Sequence, residues 1–433
     1  MAEGGQYAGR GRGAPALLAL MLALAGATGA QRPALAASPR PQPAKAAMLA
    51  RSCIVKPPDI APMFPSPAAE TKADKDASDD ADDDDDDDDD DDETPGLILP
   101  GYATCLAISG TLTAGLQFDS YRVPRGGSQV PPDGFIWLPN ASFRIETAHD
   151  LASGLRLGTA FEMSVATTPG QPDTVTLDEA SVTLGTFTFG LTDSRFNFWT
   201  GDEFAFTARL PARNATLIAW ERDLTDRWNL ALSLEDPAAG TTSSVPAPVG
   251  RPDGVARLTY TNGPLTVHLA GALREVAGRP ARLGRAGIIG ATYELSVLGG
   301  AGEVTAQVAG AIDAAPYIGS SLDAAVVRQV LLPQDSTRGF STVLSARREW
   351  NDHWASNVYV SRYLITVPLL AQAKGKLRID RLAANLVWTP LDGFKAGFEA
   401  TLAWGRAEIA SRALPAALGG RQLSGQLFLE RTF

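Results

Sequence analysis

The chain has 433 residues, a formal net charge of −11 at pH 7, 45% hydrophobic residues, two cysteines and three histidines. This acidic balance excludes the basic footprint of a nucleic-acid binder, and so few Cys and His leave little for a transition-metal site, so neither a metal nor a cofactor is expected. After the N-terminal apolar run, no stretch of eighteen consecutive apolar residues occurs, which excludes a helical membrane protein and leaves either an exported soluble protein or a barrel.

At the N-terminus, Arg10 and Arg12 precede an apolar run from Ala14 to Ala25, and small residues follow at Ala27, Gly29 and Ala30. Charge, apolar core and small residues in that order read as a secretory signal peptide over 1–36, cleaved after Ala30 or after Ala36. Residues 37–102 are rich in Pro, Ala and Asp, show neither strand nor helix periodicity, and are expected to be largely disordered. Within them, Asp79 to Glu93 is acidic at every position except Ala81 and supplies much of the net charge. The tract reads as a low-complexity solvating insert, or as a sponge for divalent cations or lipopolysaccharide-bound cations. Cys53 and Cys105, in an exported chain, would most simply pair as a disulfide; two free buried thiols are the other reading.

From residue 103 to the end the pattern changes to short alternating runs. Leu155, Leu157, Phe161, Met163 and Val165 oppose Arg156, Glu162 and Ser164; Trp228, Leu230, Leu232 and Leu234 oppose Asn229, Ser233 and Glu235; Phe394, Phe398, Leu402 and Trp404 oppose Lys395, Glu399 and Thr401. An apolar face and a charged face on each strand is what a barrel with lipid outside and water inside requires. About sixteen strands are expected, near 103–122, 135–148, 155–167, 174–184, 187–198, 214–222, 227–236, 254–262, 264–275, 286–298, 302–312, 340–350, 353–366, 376–389, 393–407 and 420–433. Every second connection is short, as at Asn262-Gly263, whose residues tolerate the positive φ of a tight hairpin. The others are longer, notably Asp193 to Arg213 and Asp313 to Gly339, and this alternation of turns and loops is how outer-membrane barrels are built. The last strand alternates and ends on Phe433, like the signal read by barrel-assembly machinery. The predicted fold is an all-β transmembrane antiparallel β-barrel over 103–433; a soluble sandwich or propeller needs neither that ending nor that rhythm.

Four stretches carry a family likeness: the paired cysteines with Thr104 to Gly110 opening the first strand, Leu177-Asp178-Glu179-Ala180, Phe189 to Ser194, and Phe428 to Phe433. On these the chain resembles the alphaproteobacterial porin family, the rhizobial and brucella-type trimeric porins. The resemblance implies a sixteen-stranded barrel, a homotrimer, and a third external loop folded inward to narrow the pore. It departs from the family between the cysteines, where Cys53-Ile54-Val55-Lys56-Pro57-Pro58 and the acidic insert replace a Tyr-Gly-rich stretch, and at Gly110-Thr111-Leu112-Thr113.

A porin's working parts are pore radius and the charges at its narrowest ring. The segment matching the third loop holds Asp193, Arg195, Asp202, Glu203, Arg209 and Arg213, interleaved with Phe196, Phe198, Trp199, Phe204 and Phe206. The aromatics are expected to pack the loop on the wall while the charges face water; an ordinary external loop with solvated charges is the other reading. Strand parity assigns to the lumen wall Arg144, Glu146, Arg156, Glu162, Glu179, Arg257, Arg347, Arg381, Lys395 and Glu399, each of which could instead snorkel at a rim. Acidic loop groups facing basic wall groups would set a transverse field across the pore. Trp137, Trp220, Trp350, Trp354, Trp388 and Trp404 near strand ends fit an interfacial girdle. His149, His268 and His353 fall in separate segments with no catalytic motif, so no catalytic residue is assigned. The expected function is passive diffusion of ions and small hydrophilic solutes, with outer-membrane lipid and lipopolysaccharide as surroundings. A saturable substrate-specific channel or a barrel enzyme is the alternative.

Overall fold

A computed structural model of the chain describes residues 51–55, 62–63, 94–99, 103–123, 133–167, 172–237, 251–276, 282–297, 299–320, 336–368, 373–410 and 416–433. The leader read over 1–36 and the acidic tract 79–93 lie outside them.

The strands are β1 (Arg51–Val55), β2 (Thr94–Ile98), β3 (Cys105–Arg122), β4 (Gly134–Asp150), β5 (Arg156–Ala166), β6 (Thr174–Leu184), β7 (Phe187–Asp193), β8 (Asn214–Thr225) and β9 (Trp228–Glu235). They continue with β10 (Asp253–Asn262), β11 (Leu265–Val276), β12 (Arg282–Val297), β13 (Gly300–Ile312), β14 (Arg338–Asn351), β15 (Trp354–Pro368), β16 (Lys374–Leu391), β17 (Phe394–Ala410) and β18 (Ala416–Thr432). From β3 to β18 each strand pairs antiparallel with the next, and β18 returns to pair with β3, with Leu427 opposite Leu116 and Gln426 opposite Gln117. The result is a closed sixteen-stranded barrel. Closure gives every strand two partners, which is what a spanning backbone needs where no water can satisfy its polar groups.

The alternation inverts the usual rule of burial. Leu427 is 56% exposed on the outside while its neighbour Gln426 is 8% exposed on the inside. Leu112, Leu232, Leu344, Leu386 and Phe398 lie outside in the same way. Tight turns alternate with long connections, and Gly154, Gly185, Gly263, Gly299 and Gly393 take positive φ at five of the turns. Trp354 and Trp388, an outward cross-strand pair with rings 6.0 Å apart, sit at the turn end, and Trp404 sits towards the loop end of β17. Two aromatic belts of this kind mark the two membrane interfaces.

Two features differ from the sequence reading. The third long connection leaves the wall early: β7 stops at Asp193 rather than near 198, because the chain turns into the lumen at Ser194. Between 37 and 102, β1 and β2 form an antiparallel pair that no alternation announced, since five residues are too few to show a period. The β1–β2 pair is tied to the barrel by the Cys53–Cys105 disulfide and by Leu97 and Ile98 pairing with Leu106 and Cys105. That stretch of β3 is free because β18 ends at Thr432 opposite Thr111.

The hydrophobic core lies inside the barrel, not between layers. Inward residues of β10–β15, including Val255, Ala272, Ile288, Ala309 and Ile365, pack against Phe196 of the third loop and against Tyr317 and Ile318 of a short 3-10 turn, Ala315–Ile318, in the connection after β13. One side of the lumen is therefore filled with protein.

Candidate functional site

The third loop, Ser194–Arg213, is built to enter the lumen and stay there. Its two ends are stitched together: Ser194 N–H donates to Arg213 O at 3.0 Å, and Asn197 exchanges bonds with the Arg213 backbone at 3.0 and 3.3 Å. Glu235, fully buried on β9, accepts from the Ser194 hydroxyl at 2.8 Å and the Arg195 amide at 3.1 Å. Around it, Arg213 lies 3.7 Å from Glu235 and 3.8 Å from Asp253, Arg274 lies 3.6 Å from Asp253, and the Tyr317 hydroxyl donates to Asp253 at 3.0 Å. Burial, offset in part by the nearby Arg213 and reinforced by the two carboxylates, pushes the Tyr317 phenol well above its ordinary range, so it stays a donor. Arg213 also stacks on the Tyr317 ring, 4.5 Å from its centroid. A buried network of this kind is costly to break, because removing one partner leaves a charge without compensation.

From that base the loop crosses to the opposite wall. Phe198 stacks on His268 of β11, rings 4.9 Å apart. The approach is possible because Gly290 of β12 has no side chain: a Cβ there would sit 2.2 Å from the Phe198 ring. Trp199 donates its amide to Gln307 of β13 at 3.0 Å and its indole to Glu203 at 3.0 Å. Trp199, Phe204 and Tyr359 of β15 meet edge to face, with Phe204 and Tyr359 centroids 4.6 Å apart. The tip is latched to β16 and β17. Glu399, fully buried, accepts the amides of Ala205 and Phe206, both at 2.8 Å, and Asn385 donates to Glu203 O at 2.7 Å. Tyr359 and Arg381 cap the carbonyls of Phe206 and Thr207.

While the loop lies on β11–β17, β3–β6 carry a separate inward cluster of charges. There Arg144 is held by three carboxylates, Glu162 at 2.7 Å, Glu179 at 2.7 Å and Glu146 at 2.8 Å. Glu179 also accepts from Ser181 at 2.8 Å and Thr192 at 3.1 Å. Asp193, at the end of β7, lies within reach of the charges of Asp202 and Glu179 and also of Arg195. Asp202 is exposed on the loop and accepts from Thr200 at 2.6 Å. Three carboxylates thus gather around one guanidinium. The other inward charges are compensated nearer home. Arg195 and Arg257 share Glu221, Arg156 pairs with Asp150 at 2.7 Å at a turn, Arg347 with Glu349 at 2.8 Å, and Lys395 with Glu430 at 3.7 Å. Arg209 is exposed on the far part of the loop.

Two of the basic wall groups expected to face the loop's acidic residues are already engaged. Arg144 is surrounded by wall carboxylates, and Arg381 is engaged by a loop carbonyl. Glu399 and Arg381 point inward as parity requires, yet they hold the loop rather than line open water. Arg213 is buried in the loop's base rather than lining the constriction. Glu235, Asp253, Tyr317, Gln307 and Asn385 were absent from the sequence-based set and carry most of the loop's anchorage. Phe433 lies beside β3, exchanging two backbone bonds with Gly110 at 3.0 Å, its ring over the glycine's bare α-carbon.

Comparisons agree with this architecture. The chain matches the family described as Porin subfamily over residues 96–413. No curated protein sequence matches it. Among solved structures it is similar to the outer membrane channel DcaP of Acinetobacter baumannii, at 12% identity and a TM-score of 0.60, covering 76% of this chain and 98% of that one. It is also similar to an anion-selective porin from Comamonas acidovorans, at 11% identity and a TM-score of 0.52, covering 76% of this chain and all of that one. A closed barrel of sixteen strands, a third loop folded across its lumen and a family match over most of its length make the chain a member of the porin subfamily, a channel-forming β-barrel of the bacterial outer membrane.

Proposed function

We propose that this porin is a cation-preferring diffusion channel for ions and small hydrophilic solutes, working as a homotrimer, and that its permeation path runs between the third loop and the wall of β3–β6. The observation that carries the reading is the grouping of Glu146, Glu162 and Glu179 around the single guanidinium of Arg144. Low-dielectric walls focus the field of such a group, so its surplus negative charge raises cation occupancy where the pore is narrow. The Comamonas porin is described as anion-selective, but at 11% identity the likeness concerns the fold, and selectivity belongs to the side chains. The resemblance to alphaproteobacterial trimeric porins supports the trimer. Phe433, closing β3 beside β18, serves as the assembly signal in this reading.

The test is Asp202→Asn with Glu203→Gln, measured as zero-current potential under a salt gradient. Most of the expected shift towards anions comes from Asp202, because Glu203 is occupied by the Trp199 indole. A mutant potential equal to the parent's at low ionic strength, where screening is weakest, would remove the loop carboxylates from the selectivity mechanism.

A further inference from the structure

On the outer surface of the barrel, at the loop end of β15–β18, an arginine-rich stripe sits where the apolar belt stops. Arg362, Arg378 and Arg406 lie on outward positions, alternating with inward Ser361, Ile379 and Gly405. Arg378 and Arg406 are direct cross-strand partners, and one strand further Arg421 is the direct partner of Arg122. Like charges directly opposite on a sheet destabilise it unless something between them is negative. The chain supplies too little. Asp380 takes the Nε of Arg362 and of Arg378, each at 2.6 Å, and Glu408 takes the Nε of Arg406 at 2.5 Å. Among the described residues, the terminal nitrogens of these three arginines make no hydrogen bond to protein.

A groove of about 870 Å³ lies among them. Its upper lining is the three guanidinium groups with Asp380, and its lower lining is Leu344, Val360, Leu382 and Trp404, all outward and lipid-facing. Gly405, Gly419 and Gly420 carry no side chains over the strands that border it. An occupant must therefore be apolar below the interface and multiply anionic at it. We propose that this groove binds a phosphorylated lipid of the outer leaflet, its phosphate between Arg362, Arg378 and Arg406 and one acyl chain along Leu344, Val360 and Leu382. Planar guanidinium groups bind phosphate oxygens in bidentate fashion, which is the geometry a surplus of outward arginines offers. The proposal rests on the outer-membrane reading and is independent of the pore's selectivity.

The test uses the full folded oligomer, delipidated in detergent and titrated with diphosphoryl lipid A, its dephosphorylated form, or inorganic phosphate, with bound lipid counted by native mass spectrometry. The parent is expected to retain diphosphoryl lipid A and not the dephosphorylated form. In R362Q/R378Q/R406Q, affinity should fall on the order of a hundredfold. Single-channel conductance of that variant should equal the parent's, which separates failure of the lipid site from failure of the channel. Should the triple variant not assemble, R406Q alone removes one facing charge and should weaken lipid A binding in the same direction. Equal binding by parent and variant, equal binding of the dephosphorylated lipid, or displacement of lipid A by inorganic phosphate would overturn the proposal. So would a variant whose oligomeric state changes while its lipid binding does not, which would make this face a contact between copies.

Discussion

Replacing Glu399 should loosen the third loop without unfolding the barrel. Its buried carboxylate accepts two loop amides, Ala205 and Phe206, at 2.8 Å. In Glu399→Ala both donors lose their acceptor in a partly buried site, at about 1–3 kcal/mol each, so about 2–6 kcal/mol of the latch is lost, the lower figure being the nearer where water can reach the amides. Even the lower figure raises the population of detached loop about thirtyfold, at about 1.4 kcal/mol per decade. The remaining anchors, Asn385 on Glu203 O, Tyr359 on Phe206 O and the buried base around Glu235, keep the loop tethered. Single-channel recordings in planar bilayers should show frequent excursions from the parent's level, with the heat-modifiable folded band unchanged on gels. Glu399→Gln keeps one carbonyl acceptor and should give a milder form of the same trace. A Glu399→Ala channel whose current is as quiet as the parent's would refute the reasoning, because the latch would then contribute nothing to loop position.

Gly290→Val should displace Phe198 from His268 and lower the thermal stability of the loop, read as greater protease access between Ser194 and Arg213 in the folded barrel. Deleting Phe433 removes two backbone bonds to Gly110 and should slow appearance of the heat-modifiable form in reconstituted membranes; insertion at the parental rate would deny the residue an assembly role. Cys53→Ser with Cys105→Ser frees only the β1–β2 pair and should leave oligomer yield and conductance at parental values.

Much of the barrel was legible because period-two alternation survives when lipid replaces the core: Phe394, Phe398, Leu402 and Trp404 could be placed outside from spacing alone. The aromatic residues of the third loop also announced that it would pack on something. What spacing could not supply was the partner. Glu399 reads as an inward carboxylate, but the amides it accepts lie 193 and 194 residues earlier in the chain. The same holds for Glu235 and Asp253, which sit at strand ends flanking a loop and look like solvated charges until Arg213, Arg274 and Tyr317 converge on them. One further signal lies in the sequence. Ala314 to Ile318 is an unbroken apolar run inside a long external connection, where polar residues are expected, and in the structure it is fully buried against Phe196. The β1–β2 pair had no such signal, since its order comes from a disulfide and from a vacant stretch of β3.

The proposed selectivity element is an acidic wall patch bounded by the inward loop. Zero-current potential of the parent channel under a salt gradient, measured at low and at high ionic strength, tests it most directly. The three carboxylates around Arg144 predict a potential of the sign given by cation preference, shrinking as salt screens the patch. An anion-selective potential, or one with no dependence on ionic strength, would contradict it.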